Sequence, residues 1–315
     1  MTTHTTRHLR RTLLAIANQQ RPADSITVTV DGDGADIIEL IRACAAEFNL
    51  EIALVTRAHQ GACRSAQVRN NGARAALARA RARNPHAAHA LIFFDGDCAP
   101  APEALNNFEW LLTGAPRGGT ARDAPPADLV IGHWITLSAA QTEAFDEAAL
   151  RAGAWPARLT PEQLRKPAAR QRRYRRQLLL RALGLAKPHK PKLASGNFAV
   201  RAEAFERVNG FDEVYDGYGQ EDDDLGRRLA RAKARTALGV DHCLVFHQWH
   251  PTRKVGDWND LPGVKRFRAP YPIIAERGLL NGIAQPPPRN EVCTPASEHA
   301  ASAPRPRVRT PSVPA

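Results

Sequence analysis

The N-terminal third of the chain alternates between apolar runs with β propensity and stretches with helical periodicity. The apolar runs cover residues 26–30, 51–56 and 90–94, and helical patterns fill the intervals between them. Strand–helix–strand succession indicates parallel strands joined by right-handed crossover helices. The sequence therefore predicts an α/β fold, in which helices cover both faces of a mainly parallel sheet.

Composition sets limits on the class of protein. The chain is 43% hydrophobic and 24% charged, values typical of a globular protein, and this excludes disorder along the whole chain. Its 44 Lys and Arg residues exceed its 32 Asp and Glu residues, for a net charge of +12. Such an excess suits a polyanion, an anionic membrane surface or a phosphate-bearing substrate, but a general enrichment in Arg explains it equally well.

Cysteine usage and the longest apolar runs indicate the compartment. The five cysteines are widely spaced and form no C-x-x-C pair, which argues against a disulfide framework and a thiolate zinc site. No secretory signal is expected at residues 1–11, and runs such as residues 91–94 fall short of the ~18 residues that a membrane span needs. We therefore expect a cytoplasmic protein, attached at most peripherally to the inner face of the membrane.

Acidic turns follow two of the predicted strands. Asp31 ends the first run, and Asp95, Gly96 and Asp97 directly follow the run at 90–94. Ligands of α/β proteins bind at the carboxyl ends of the strands, and two carboxylates separated by one small residue can reach the same divalent cation. Asp and Gly also form ordinary turns, so this motif alone leaves both readings open.

Four successive carboxylates, at 221–224, begin a predicted helix after a Gly-Tyr-Gly turn. Acidic residues at a helix N-terminus complement the helix dipole, and one or two would suffice for that role. Four crowd like charges together, which raises the pKa of at least one carboxyl and prepares it to accept a proton. This pattern favours a catalytic role over capping alone.

Residues 128–137 and 236–246 predict two further strands. A histidine cluster follows the second of them. His242, His247 and His250 lie in and just before the run VFHQWH at 245–250. Neutral imidazole commonly completes a metal site that carboxylates have begun, although a single histidine is more often structural. The sequence supports both roles equally.

Several motifs together resemble family 2 inverting glycosyltransferases with a galactosyltransferase-type C-terminal half. QG at 60–61, VRNNGA at 68–73 and LIFFDGD at 91–97 are similar to the first-half series of that family. SGNFAV at 195–200, VNGFD at 208–212 and GYGQEDDD at 217–224 are similar to the second-half pattern. The match extends from about Thr2 to His250, with the motifs in the family's order.

The resemblance implies a GT-A fold and a role for each matching residue. Asp222 is identified as the catalytic base and Glu221 as an acceptor-binding residue. Asp95, Asp97 and His247 would hold a divalent metal, Mn²⁺ or Mg²⁺. The nucleotide-sugar site would comprise Asp31, Arg69, Asp95, Gly196 and Tyr218.

The resemblance also divides the chain. A GT-A domain would span 1–284, with a nucleotide-sugar-binding half at 2–137, a basic helical insertion at 138–192 and an acceptor-binding half at 193–284. The Pro-rich segment 285–315 is predicted to be disordered. Two departures stand out: Tyr218 replaces the usual Trp, and only Met1–His4 is present of the family's first apolar strand. The short first strand leaves open whether the start codon is assigned too late or the strand is lost. Activity is in doubt in the second case.

The predicted activity is inverting transfer of a hexose or N-acetylhexosamine from a nucleotide-diphosphate sugar, UDP-linked by preference, to a saccharide or lipid-linked acceptor. The pathway would be surface polysaccharide or glycoconjugate synthesis. The basic residues of 165–181 offer a contact with an anionic membrane, and no nucleic-acid partner is expected because aromatic residues are scarce there. Two alternatives stay open at this point: a metal-dependent sugar nucleotidyltransferase and a non-catalytic polyanion-binding protein.

Overall fold

The computed structural model describes residues 1–61, 63–114, 125–217, 219–251 and 257–295. The strands are β1 Thr2–Thr3, β2 Ile26–Asp31, β3 Ile52–Arg57, β4 Ala90–Phe94, β5 Cys98–Pro100, β6 Leu129–Ile131, β7 His133–Thr136, β8 Asn197–Arg201, β9 Thr236–Leu238, β10 Leu244–His247 and β11 Arg289–Cys293.

Helices fill most of the intervals between strands. They are α1 Leu9–Ala17, α2 Ala35–Glu47, α3 Ser65–Arg83, α4 Ala104–Thr113, α5 Ala139–Glu143, α6 Glu147–Arg151, α7 Pro161–Ala182, α8 Ala202–Arg207, α9 Glu221–Arg231 and α10 Pro262–Arg268. The segment predicted as a basic helical insertion contains α5, α6 and α7. No helix in the described ranges is long and apolar enough to cross a membrane.

The strands form three small sheets. In the first, β1, β2 and β3 are parallel and β11 pairs antiparallel with β3. The second has the order β4-β8-β6-β9 and mixes antiparallel pairs with the parallel pair β6–β9. The third places β10 between β5 and β7. The predicted α/β class, with parallel strands covered by helices, is confirmed.

The carboxyl ends of two sheets meet at β1. Thr2 pairs with Thr29 of β2 and forms a bridge with Asp95, the residue after β4. The amide of Gly96 donates to the carbonyl of Thr2 at 2.8 Å. Both acidic turns noted in the sequence therefore lie at one edge, where an α/β protein binds its ligands.

A cavity of about 350 Å³ lies between β2 and β4. Its walls include Thr27, Gly72, Ala73, Ile92 and Leu105. One end of it reaches the short strand β1, the position at which the resemblance implies a longer first strand.

An aromatic cluster forms the core under the second sheet. Phe93 of β4 stacks on Phe198 of β8 with ring centroids 4.6 Å apart. Phe211 packs against both of these rings, and Phe205 packs against Phe93. Burial of these large rings fixes β4, β8 and the loop that leads to α9 as one unit.

Two predicted strands, at 128–137 and 236–246, are each split into shorter ones. The first is divided at Gly132 into β6 and β7, which belong to different sheets. A Cβ at Gly132 would lie 2.6 Å from the side-chain nitrogen of Asn197, which donates to carbonyls of His133 and Cys243. A buried amide inserted between the sheets therefore ends the continuous strand, and the apolar pattern alone gave no sign of it.

The predicted disorder of 285–315 is wrong for its first part. Residues Arg289–Cys293 form β11, and Cys293 is buried against β3. Gln285 donates to Asn71 of α3 at 2.9 Å. Backbone pairing satisfies the outer edge of β3, which explains why a segment with three consecutive prolines still joins the sheet. Residues 296–315 lie outside the described ranges.

Candidate functional site

Arg69 occupies the centre of the site. It projects from α3, is buried, and donates to Asp95 Oδ1 at 3.0 Å and to Glu221 Oε1 at 2.9 Å. Burial opposes the guanidinium charge, but Asp95 and Glu221 outweigh it and raise the pKa of Arg69. One permanently charged side chain thus joins the turn after β4 to the start of α9.

Gly196 lies directly against Asp95. A Cβ at this position would come within 2.9 Å of Asp95 Oδ2 and 3.1 Å of Cys98 Sγ. Only glycine allows the loop before β8 to approach the carboxylate so closely. The structure therefore brings together Gly196, Asp95 and Arg69, three residues that the resemblance assigns to the nucleotide-sugar site, and that assignment stays a prediction.

Asp224 has a structural role in α9. Its two carboxylate oxygens each accept a 2.7 Å hydrogen bond, one from Arg227 and one from Arg228. All three side chains are buried, and Arg228 also donates to the carbonyls of Val208 and Gly210. This network anchors α9 to the loop before it, so Asp224 is not available for chemistry.

The other three carboxylates of the run differ in their partners. Glu221 binds Arg69, and Asp223 Oδ2 lies 2.9 Å from Lys192 Nζ. Asp222 alone of the four forms no ion pair with any residue in the described part of the chain. The acidic run therefore contains one carboxylate whose charge is not neutralised by a salt bridge.

The surroundings of Asp222 favour its protonated form. Burial, followed by the charges of Glu221 and Asp223, raises the pKa of Asp222 to about 7. The amide of Asp223 donates to Asp222 Oδ1 at 2.7 Å and, with Arg69, acts in the opposite direction. A carboxyl with a pKa near neutrality can accept a proton efficiently and release it again.

A second group of donors surrounds Asp97. Asp97 Oδ2 lies 3.1 Å from His250 Nε2 and 3.7 Å from His247 Nε2. Ligand atoms of Asp97, Cys98 and His247 all fall within 4.8 Å of one another. His247 Nδ1 is buried and has no hydrogen-bond partner among the described residues.

This donor set fits a divalent cation. One carboxylate and two imidazoles provide oxygen and nitrogen ligands suited to Mn²⁺ and related metals. Burial, reinforced by Asp97 and Asp95, raises the pKa of the Cys98 thiol well above its ordinary range. Asp97, His247 and His250 therefore make the better set. Asp95 directs Oδ1 to Arg69, so its role as a metal ligand stays a prediction.

Asp31 is held at the end of β2 by two side chains that the sequence did not single out. Arg57 Nε lies 3.2 Å from Asp31 Oδ1, and His59 Nδ1 lies 3.3 Å from Oδ2. Arg57 is buried and also donates to Gln67 of α3. The sequence did not point to them, because the contact depends on the parallel register that places the last residues of β2 and β3 side by side.

The histidine cluster divides in the structure. His247 and His250 are neighbours with ring centroids 5.3 Å apart, whereas His242 lies beside Asp241 and packs against Trp110. Of the two neighbours, His250 lies nearer to Asp97 Oδ2 than the predicted ligand His247 does. The sequence placed His250 in the same cluster, but its spacing did not distinguish the two.

Tyr218 lies outside the described residues. The neighbouring Gly219 faces Trp258, whose ring would lie 3.1 Å from a Cβ at that position. Trp258 is partly exposed beside the start of α9. Sequence analysis did not identify this aromatic residue, because no motif connects it to the Gly-Tyr-Gly turn.

Two family models match the chain. The model described as glycosyltransferase like family 2 matches residues 1–120, and the model described as the N-terminal domain of galactosyltransferase matches residues 184–241. These segments contain Asp31, Arg69, Asp95 and Asp97 on one side and Gly196 and the carboxylates of α9 on the other. The predicted resemblance to both families is confirmed by these matches, each over its own part of the chain, and the GT-A class that it implies stays a prediction.

The chain is also similar to solved structures. The mannosyltransferase PcManGT from Pyrobaculum calidifontis, in complex with GDP-Man and Mn²⁺, is 15% identical over 78% of this chain and 55% of its own, with a TM-score of 0.45. TarS of S. aureus is 12% identical over 78% of this chain and 59% of its own, with a TM-score of 0.45.

GalNAc-T7 with UDP, GalNAc and Mn²⁺ is 15% identical over 84% of this chain and 46% of its own, with a TM-score of 0.48. The chain thus spans about half the length of the solved structures that it matches. No curated protein sequence matches it.

Proposed function

We propose that the chain is a metal-dependent inverting glycosyltransferase that transfers a hexose or N-acetylhexosamine from a nucleotide-diphosphate sugar to a saccharide or lipid-linked acceptor. The observation that carries this proposal is the position of Arg69, which binds Asp95 of the donor half and Glu221 of the acceptor half. A carboxylate without a salt bridge, Asp222, lies next to that junction. Two substrates that react directly must meet at such a junction.

Asp222 is the general base of the proposed reaction. It accepts the proton of the acceptor hydroxyl while that oxygen forms a bond to the anomeric carbon. The bond between this carbon and the phosphate oxygen breaks, and the nucleoside diphosphate departs with the electron pair. A single displacement inverts the anomeric configuration. Glu221, already neutralised by Arg69, positions the acceptor instead of accepting the proton.

Asp97, His247 and His250 would hold the cation beside the donor. When bound, a divalent metal supplies positive charge against the diphosphate group. Arg69 adds a fixed positive charge beside Asp95, with both arms of its guanidinium held by Asp95 and Glu221. Asp31, oriented by Arg57 and His59, would bind the nucleoside, with a preference for uridine drawn from the family resemblance.

Product analysis tests the proposal directly. The protein is incubated with Mn²⁺, a panel of nucleotide sugars and a panel of simple glycoside acceptors, and products are identified by mass spectrometry. We expect a product one sugar larger than the acceptor, release of nucleoside diphosphate, and an inverted anomeric configuration by NMR. Asp222→Asn serves as the inactive control. Release of pyrophosphate from a nucleoside triphosphate would instead support a nucleotidyltransferase and contradict the proposal.

A cytoplasmic role in surface polysaccharide or glycoconjugate synthesis fits this activity. The proposed donors are made in the cytoplasm, and an acceptor attached to lipid would bring the enzyme to the inner face of the membrane. This part of the proposal rests on the free cysteines and the family resemblance. Fractionation of cells that express the chain, compared before and after a high-salt wash, tests it.

A further inference from the structure

The net positive charge of the chain comes from one continuous segment. Residues 163–202 contain 12 Lys and Arg residues and no Asp or Glu. The remaining 32 basic residues equal the 32 acidic residues of the whole chain, so the rest of the protein is neutral overall. A general enrichment in Arg would have spread the excess of basic residues along the chain, but the excess is confined to residues 163–202.

Helix α7 presents this charge on its outer side. Its inner side is held by Gln171, which donates to the carbonyl of Leu238 at 2.9 Å, and by the buried ring of Tyr174. Arg172 and Arg176 are exposed on the opposite side and form no ion pair with any residue that the structure describes. Their charges are therefore free to attract an external anionic surface.

Exposed leucines continue the outer side of α7 beyond these arginines. Arg172, Arg176 and Leu179 of α7 and its C-cap residue Leu183 are spaced i, i+4, i+7 and i+11, which places them on one side of the helix. Leu179 and Leu183 are each 62% exposed, and Leu185 beyond the helix is 72% exposed. A solvated basic helix gains nothing from three exposed leucines, whereas a membrane interface accepts both types of residue.

We propose that the outer face of α7, defined by Arg172, Arg176, Leu179 and Leu183, docks on the surface of a bilayer that contains anionic phospholipid. The arginines contact phosphate headgroups, and the leucines enter the boundary between headgroups and acyl chains. A nucleic acid is the weaker alternative, because the aromatic residue of α7, Tyr174, is buried and cannot stack on bases.

The docked face is connected to the candidate site. Lys192, near the end of the acid-free segment, pairs with Asp223 of α9 at 2.9 Å. Attachment through α7 would therefore hold α9 at a fixed place relative to the bilayer. The docking itself rests on charge and exposure, and it is independent of the proposed glycosyl transfer.

Vesicle flotation tests the proposal. The full chain is mixed with vesicles of phosphatidylcholine alone or with one third phosphatidylglycerol, at low and at physiological salt. We expect flotation with the anionic vesicles, weakened by salt, and little with the neutral ones. Arg172→Gln and Arg176→Gln should each weaken binding to the anionic vesicles about fivefold. The pair Leu179→Ser and Leu183→Ser keeps the charge and should weaken it on the order of tenfold.

Matched controls separate this face from general surface effects. Leu280→Ser removes a leucine that is 76% exposed elsewhere, and Arg207→Gln removes an exposed arginine of α8. Both should leave flotation unchanged, and thermal melting should show that every variant is folded. Equal flotation with neutral and anionic vesicles, or unchanged flotation of the leucine pair, would overturn the proposal. So would tight binding of a single-stranded RNA by a protein that does not float.

Discussion

The Arg69 guanidinium binds the Glu221 carboxylate at 2.9 Å, although 152 positions separate the two residues in the sequence. Both side chains are buried. The second arm of the guanidinium reaches Asp95, so α3 fixes the distance between the turn after β4 and the first turn of α9. The geometry of the candidate site therefore depends on one ion-pair bridge between the two matched segments of the chain.

Removal of this bridge should be costly. Arg69→Gln leaves Glu221 buried without its cation, and loss of one partner of a buried pair typically costs about 3 kcal/mol or more. We expect a lower free energy of unfolding in urea. Arg83→Gln, which removes an exposed pair with Glu51, should change it by less than about 1 kcal/mol. Equal stability of the two variants would contradict a structural role for the bridge.

Sequence patterns anticipated the parts of the site that local chemistry determines. Asp95 and Asp97 after an apolar strand, and four acids at a helix start, each predict chemistry at a known position within an element. The family motifs then placed Arg69 and Gly196 in the same site. Contact between Arg69 and Glu221 could not be predicted, because it depends on how α3 and α9 pack.

The same reason explains what the sequence missed. Arg57 and His59 reach Asp31 only through the register of β2 and β3, and Trp258 reaches Gly219 from a distant loop. Gly132 divides a predicted strand because the side chain of Asn197 occupies the space beside it. These relationships are tertiary, and periodicity along the chain carries no information about them.

Metal binding should depend on the residues around Asp97. Asp97→Asn and His247→Ala each remove one donor of the set, and we expect each to weaken Mn²⁺ binding at least about tenfold. His242→Ala removes a histidine that lies beside Asp241 and should leave binding unchanged. Isothermal titration with Mn²⁺ measures all three. Unchanged affinity in Asp97→Asn would place the metal elsewhere. Removal of the metal with EDTA should abolish transfer, and Mn²⁺ should restore it.

Gly72 marks a close contact between α3 and β2. A Cβ at this position would clash with Thr29 Oγ1, so Gly72→Ala should destabilise the protein by about 1–3 kcal/mol despite the better helix propensity of Ala. Thr29→Ala removes the obstructing hydroxyl. In urea unfolding, the double variant should be more stable than the sum of the single effects predicts. Additive effects would contradict the proposed clash.

Strand β11 makes the two possible truncations of the Pro-rich segment inequivalent. A chain ending at Ala284 loses all pairing on the outer side of β3, from Thr56 to Ile52, and should melt at a lower temperature. A chain ending at Pro295 keeps β11 and should melt with the full-length protein. Differential scanning calorimetry on the three lengths measures this. Identical melting of the shortest chain would show that β11 adds no stability.

The last prediction concerns the pH dependence of Asp222. Its pKa is about 7 in the folded protein against an ordinary value of 3.8, so the folded state holds this proton more tightly than the unfolded chain. The stabilising contribution of the proton is complete below pH ~4 and is lost as the pH rises through ~7. Asp222→Asn removes this dependence. It should raise the melting temperature relative to wild type at pH 8 and have less effect at pH 4.

The same substitution should reduce catalysis. General-base catalysis contributes about 10² to 10⁴-fold, and kcat should fall within that range while nucleoside diphosphate still binds. In wild type, activity should rise with pH as Asp222 ionises near 7, and this limb should disappear in the variant. Asp224→Asn is the matched control. It breaks the pairs with Arg227 and Arg228 and should destabilise the protein at pH 8 instead. Full turnover by a stable Asp222→Asn protein would rule Asp222 out as the base.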